Sequence, residues 1–400
     1  MRIEGPRPFF LRRPGFVRTA GVALAVFLIS SVPLAFNGNL LLPIEPVVTL
    51  RGRMGSKADF FEDAEVKRIL MGHRIRVDVS DAGSRLVAEG DLSQFDFVFP
   101  SGQPAATEIF RRRTRDKAYL KSYRPFSSPL ILATYREYAE TLVSAMVAKP
   151  QPNRDSPERL YYTINLAAFL RDVRAGKTWN DLGIREHGAT NGNVVTAQTS
   201  NVCESNSAGT YLAQVAFTEN GNSVPQTSDD TAALAERIKP LLEVQGMPGS
   251  DVFDPYTYQD GREIAPVVVA YEHQYLAYQA RYRKANGTAD SRRVLLYPEN
   301  QSLTQSEFIA LDPRADKLGE LILNDGELRT RATELGFHIP PRPTDKDPLG
   351  DFLRKRGIPV PDSGTDDTRT SMPTLDRLEQ MIVRVGDCKA VQPPAAAAAP

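Results

Sequence analysis

Cysteine is almost missing from this chain: two residues, Cys203 and Cys388, in 400. That excludes a cysteine-rich zinc site and a small scaffold built on disulfides. Histidine is nearly as scarce, and the four present, His73, His187, His273 and His338, lie far apart without the close spacing of metal-binding helices. Neither charge is in surplus. Lys plus Arg and Asp plus Glu both number 49, and a general polyanion binder needs a basic excess, so the balance argues against nucleic acid as a partner and leaves only a local basic patch open. Nucleophile signatures are missing too: there is no GxSxG elbow and no HExxH helix. Ala175-Gly176-Lys177-Thr178 copies the end of a phosphate loop, but Arg171 stands where that loop needs its first glycine. No catalytic residue, cofactor or metal is expected. An exported hydrolase is the last of three functional readings.

What the chain does have begins at its N-terminus. Arg7, Arg12, Arg13 and Arg18 precede an uncharged run over residues 19–37 dominated by Ala, Val, Leu, Ile and Phe. Such a run spans a bilayer, and the arginines hold its start in the cytoplasm. The pattern predicts a basic cytoplasmic segment (1–18), a transmembrane or signal-anchor helix (19–37), a spacer (38–46) and an extracytoplasmic body on a bacterial cell membrane. Cleavage and release is the alternative, although Pro33-Leu34-Ala35-Phe36 makes a poor cleavage site. Export permits a Cys203–Cys388 disulfide; two free thiols are the other reading. The zero net charge also divides. The first 53 residues hold seven basic and two acidic residues, which leaves 42 basic against 47 acidic, or −5, for the rest.

Beyond the spacer the chain turns regular: 41% hydrophobic and 24% charged overall, an ordinary globular composition. Strands are expected at 47–51, 75–79 (IRVDV), 95–99 (FDFVF), 130–134 (LILAT), 192–199, 266–271 (PVVVAY), 294–298 (VLLYP) and 306–311. Helical spacing appears at 57–70, 86–89, 104–113, 160–173, 178–182, 207–218, 229–245, 271–285, 317–323, 326–335 and 375–385. This alternation predicts an α/β fold with mainly parallel sheets. Residues 340–373, rich in Pro, Asp and Gly, read as a loop excursion before the C-terminal helix, and 387–400 as a disordered tail.

Small hydroxyl and glycine residues recur where strands end and helices begin. Gly55-Ser56-Lys57, Gly83-Ser84, Ser101-Gly102, Ser127-Ser128 and Ser205-Asn206-Ser207 all sit at such turns. Any one serine there is more simply a helix cap. Five in like positions could line one cleft, where hydroxyls and free N–H groups at helix starts hold a polar ligand.

With these turns in order, the chain resembles the type II periplasmic solute-binding protein superfamily of ABC transporters, and within it the branch that binds oxyanions. The resemblance runs over residues 47–339, through GSKADFFEDAEVKRIL, AGSRLVAEGDLSQFDFVFPSGQ, PFSSPLILATY, GKTWNDLGI, TSNVCESNSAGTYLAQVAF, IAPVVVAYEHQYLAY and VLLYPENQSLTQSEFIAL. It implies two α/β lobes joined by two strands, lobe one from 47–130 plus 269–339 and lobe two from 131–268. It implies a small polar solute or oxyanion between them, held by Ser56, Lys57, Ser84, Ser101, Ser128, Ser205, Asn206, Ser207 and Tyr271. Glu272 should point away from any anion. The implied protein is a monomer, not an enzyme, and hands its solute to an ABC transporter permease. A membrane-anchored sensor or interaction module on the same fold is the second reading.

Overall fold

The computed structural model describes residues 46–55, 57–152, 159–247, 249, 252–343, 347–362 and 371–388. The expected membrane span, Ser56 and residues 389–400 of the expected tail lie outside these, while Asp387 and Cys388 of that tail are placed at the end of the last helix. Among the described residues no helix is long and apolar enough to cross a membrane.

In chain order, β1 (Val48–Met54) leads through α1 (Ala58–Glu62) and α2 (Ala64–Gly72) to β2 (Ile75–Asp81), α3 (Ser84–Glu89), β3 (Phe97–Phe99) and α4 (Gln103–Arg115). The long β4 (Lys121–Tyr135) is followed by α5 (Arg136–Ser144), β5 (Ala148–Pro150), β6 (Tyr161–Ile164) and α6 (Leu166–Arg174). Next come α7 (Asn206–Glu219), α8 (Ser228–Glu243), α9 (Phe253–Thr257), α10 (Gly261–Ile264), β7 (Val267–Tyr271) and α11 (Glu272–Asn286). The chain ends with β8 (Arg293–Pro298), β9 (Ser302–Ala310), α12 (Asp316–Asn324), α13 (Gly326–Glu334), α14 (Pro348–Lys355) and α15 (Leu375–Gly386).

The strands run in the order β2-β1-β3-β9-β4-β8-β6-β5, with β7 also on β4. β1 pairs parallel with β2 and β3, and β6 parallel with β8, while β4 is antiparallel to β7, β8 and β9. β4 is the spine. Leu130 pairs with Tyr271 of β7 on one edge and Ser302 of β9 on the other. Leu132 pairs with Val269 of β7 and Leu296 of β8. So β9 and β8 follow one another along one edge of β4, and β7 takes the opposite edge. The first half of β4 belongs to one lobe and the second half to the other.

Alternation along the strands sorts the core of lobe one into two layers. Phe97, Phe99 and Phe308 join Leu50, Phe60 and Phe126 on one face. Val98 and Ile309 meet Val87 and Ile109 on the other. Lobe two has a single larger cluster, which takes in β7, α11 and β8 as well as α14 and α15. The return to lobe one therefore falls between Pro298 and Ser302, not at Val269, because β7 pairs with the half of β4 that lies in lobe two.

Other differences from the sequence expectations have local causes. β4 begins nine residues earlier than LILAT; Pro125 and Pro129 disguise it, and its register with β9 shifts between Tyr123 and Phe126. The expected helix at 160–173 is a buried strand and then a helix, divided at Asn165, whose side chain accepts from the Ala168 N–H at 2.9 Å. The stretches at 178–182 and 192–199 form turns and single bridges only. The loop excursion contains α14, with Leu349 and Leu353 buried against lobe two. Cys203 and Cys388, 185 residues apart, are joined in a disulfide with their Cα atoms 5.6 Å apart, which resolves the free-thiol alternative.

Candidate ligand cleft

A cleft of about 180 Å³ opens between the lobes. Lobe one supplies the carboxyl ends of β1, β2 and β3: Gly55, Asp81 and Ser101, with Asp59 from α1. In an open α/β sheet this edge presents turn residues and helix starts. Lobe two supplies the start of α7 and the loop before it, with Ser200, Ser205, Asn206 and Ser207. It also supplies Phe253 and Asp254 of α9, the end of β7 at Tyr271, and Gln274.

The serines are linked to one another. Ser205 Oγ lies 2.7 Å and Ser200 Oγ 3.2 Å from Ser207 Oγ. Ser205 stands at the N-cap of α7, yet its side chain makes no capping bond, so its hydroxyl is directed to its neighbours. The first turn of α7, whose N–H groups have no partner within the helix, lines the cleft at Asn206 and Ser207. Asn206 Nδ2 donates to Tyr271 Oη at 3.3 Å and to Thr210 Oγ1 at 3.4 Å, which ties α7 to the end of β7. Gln274 Oε1 accepts from the Tyr271 backbone N–H at 3.0 Å and so secures the corner between β7 and α11. Burial pushes the Tyr271 phenol up to about 12, despite its hydrogen bonds from Asn206 and Thr304, so it is a neutral donor at ordinary pH.

The lobes meet around the cleft. A Cβ on Gly102 would fall 2.4 Å from Asn206 Nδ2, and one on Gly83 would fall 2.2 Å from the Glu204 carbonyl oxygen. Only glycine permits these two approaches of lobe one to lobe two.

Of the residues expected to bind ligand, Ser101, Ser205, Asn206, Ser207 and Tyr271 line this cleft. Ser84 is the first residue of α3, next to cleft-lining Gly83. Ser128 is elsewhere: it is buried, and its hydroxyl accepts from the His273 backbone N–H at 3.1 Å and contacts His273 Nδ1 at 3.1 Å. Lys57 is also buried, with Nζ 4.9 Å from the Tyr271 ring centre and 5.1 Å from that of Phe337. Burial lowers its ammonium to about 7, against a pull upward from Asp59. Glu272 points into the core, where Tyr297 Oη donates to it at 2.7 Å and His338 Nε2 lies 2.5 Å away. Burial works to lower the His338 imidazole, but the Glu272 carboxylate outweighs it and raises the group above its ordinary value.

The residues that sequence reasoning missed include three acids, Asp59, Asp81 and Asp254, along with Ser200, Phe253 and Gln274. Asp81 ends a recognisable strand and Ser200 lies five residues before Ser205, so both carried a positional signal. Asp254 carried none.

No protein-family model and no curated protein matches the sequence. Solved structures do resemble it. Iron-bound HitA from Pseudomonas aeruginosa is 12% identical, with a TM-score of 0.48, over 85% of this chain and 99% of that one. The substrate-binding protein of an ABC transporter from Agrobacterium tumefaciens is 11% identical, with a TM-score of 0.48, over 86% and 95%. The sulfate-binding protein SubI from Mycobacterium tuberculosis H37Rv is 13% identical, with a TM-score of 0.40, over 78% and 92%. One is described with iron and another with sulfate, and likeness at this level assigns no ligand and no residue role to this chain.

Proposed function

We propose that this chain is an extracytoplasmic solute-binding protein that captures a small polar solute between its lobes and delivers it to an ABC transporter permease. The observation that carries the proposal is the cleft itself. Ser200, Ser205 and Ser207, with their hydroxyls bonded together, the first turn of α7 and Tyr271 line it from lobe two, and Ser101 lines it from lobe one. Such groups bind and orient a ligand without covalent chemistry. The Cys203–Cys388 disulfide supports an oxidising compartment.

The lining residues favour a neutral or cationic solute over the oxyanion that the sequence suggested. Asp59, Asp81 and Asp254 line the cleft, and among the described residues no Lys or Arg lines it. Lys57, the nearest expected cation, is sealed under Tyr271 and Phe337. A divalent anion entering here would meet like charges, each costing free energy that water screens only in part.

A thermal-shift screen at millimolar concentration tests both parts, with sugars and polyols, amino acids, polyamines, sulfate, phosphate and molybdate. A neutral or cationic solute is expected to raise Tm, and the oxyanions are not. Stabilisation by an oxyanion alone would overturn the ligand class but leave solute binding intact. No shift with any member of the panel would sink the proposal. Ser205→Ala combined with Ser207→Ala should weaken the best hit by about tenfold, the loss of one or two hydrogen bonds to ligand.

A further inference from the structure

The C-terminal helix α15 is bonded to both lobes. On the lobe-two side, Leu378, Met381, Ile382 and Val385 enter that lobe's core. Gln380 exchanges two hydrogen bonds with Ser228 of α8, at 3.1 and 3.0 Å. The disulfide from Cys388 to Cys203 secures the end of the helix, two residues before cleft-lining Ser205.

On its other side α15 reaches lobe one. Arg85 of α3 pairs with Glu379 at 3.0 Å, its Nε also lying 3.3 Å from the same carboxylate oxygen. Arg111 of α4 pairs with Asp376 at 2.6 Å. The second pair is exposed and adds little. The first is shielded: the Arg85 side chain is 8% exposed and that of Glu379 28%. Arg85 also crosses to the loop before the cleft serines. Its Nη1 donates to the Cys203 carbonyl at 2.9 Å, and its backbone N–H donates to the Glu204 carbonyl at 3.2 Å. One arginine of lobe one thus holds both partners of a welded unit in lobe two, the disulfide loop and the helix.

We propose that α15 is a latch, fixed to lobe two by the disulfide, that holds lobe one in the closed arrangement through Arg85 and Glu379. Separating the lobes about β4 and the β8–β9 connection breaks the contacts of Arg85, while the contacts of α15 with lobe two stay intact. The carboxylate on the latch also keeps the Arg85 side chain in the position from which it reaches Cys203. Cleft closure is therefore set partly by a helix that touches no ligand.

The alternative is that α15 simply completes the core of lobe two, and amide hydrogen exchange on the ligand-free chain separates the two. The Arg85 amide bonds across the lobes to Glu204, whereas the Val87 amide bonds at 2.9 Å to Gly83 within lobe one. In Glu379→Gln, which keeps the shape of the side chain and removes its charge, the Arg85 amide should exchange about tenfold faster, equivalent to about 1.4 kcal/mol of closure. The Val87 amide should be unchanged. Cys203→Ser with Cys388→Ser should give the same selective acceleration. An unchanged Arg85 amide in Glu379→Gln, or Arg85 and Val87 accelerating together, overturns the latch. So does a wild-type Arg85 amide without protection. The measurement needs no ligand, so its failure would leave the cleft proposal standing.

Discussion

Lobe one is filled with phenylalanine and lobe two with tyrosine. In lobe one Phe97 stacks on Phe308 at 4.6 Å, Phe60 meets Phe126 edge-on at 4.8 Å, and Phe126 stacks on Phe337 at 4.7 Å. These rings contribute area and packing only. In lobe two the rings carry hydroxyls that reach backbone carbonyls. Tyr135 donates to Tyr256, Tyr256 to Thr134, Tyr275 to Arg293 and Tyr161 to Pro359, all at 2.6–2.7 Å. Arg293, paired with Asp290 at 2.8 Å, donates to the carbonyls of Thr257 and Tyr258. The difference follows from what each lobe must hold. In lobe one the side chains that reach backbone carbonyls are arginines: Arg113 donates to Tyr119 and Leu311, and Arg329 to Leu323 and Pro340. In lobe two the tyrosines serve carbonyls both on strands, at Thr134 and Arg293, and in the irregular chain around α9 and beside α14, at Tyr256 and Pro359, where a buried carbonyl left without a donor is costly.

That contrast can be broken at its strongest point first. Phe97→Ala leaves a cavity at the centre of the phenylalanine cluster and should cost about 3–5 kcal/mol in urea unfolding. A loss near 1 kcal/mol would show that lobe one repacks freely. Lys57, at the junction under Tyr271, should act in the opposite direction. Its folded value of about 7 lies far below the ordinary 10.5. Between those values the unfolded chain holds a proton that the folded one lacks, so stability rises with pH across this window and is lowest below pH 7. Lys57→Met should stabilise by roughly 1–4 kcal/mol at pH 6.5, with the gain shrinking towards pH 10. A gain independent of pH would refute the buried-ammonium account. The smallest effect belongs to the tyrosine clips. Tyr256→Phe keeps the ring but leaves the Thr134 carbonyl without its hydroxyl donor, which should cost about 1–3 kcal/mol by chemical denaturation. No change would mean that the hydroxyls of lobe two serve packing no better than phenylalanine would.

The sequence was most legible where an apolar element runs unbroken between clear turn residues. The helices expected at 207–218 and 229–245 are α7 and α8, and PVVVAY is β7. It was least legible in β4, where Pro125 and Pro129 interrupt the strand pattern, and at β6, where a buried strand runs directly into a helix. The cleft was legible to the same degree. Ser101, Ser205, Asn206, Ser207 and Tyr271 stand at strand ends or helix starts, and position alone brought them together. Ser128 has the same local signature, but its pairing in β4 turns the hydroxyl towards His273 and away from the cleft. Asp59, Asp81 and Asp254 look like any surface carboxylates until the lobes are assembled.

By itself, then, the sequence determined most of the helices and the apolar strands, the hydroxyl-rich turns at their junctions, and the permission for a disulfide. These are local properties, written in periodicity and in residue type within a few positions. The tertiary structure alone decided that Cys203 meets Cys388, that the return crossing follows β8, that α15 spans the lobes, and that the cleft is lined by carboxylates. Each of these depends on which distant surfaces meet. A local pattern marks a face as buried without naming its partner, and the choice of partner is made by the pairing of β4 with strands far along the chain.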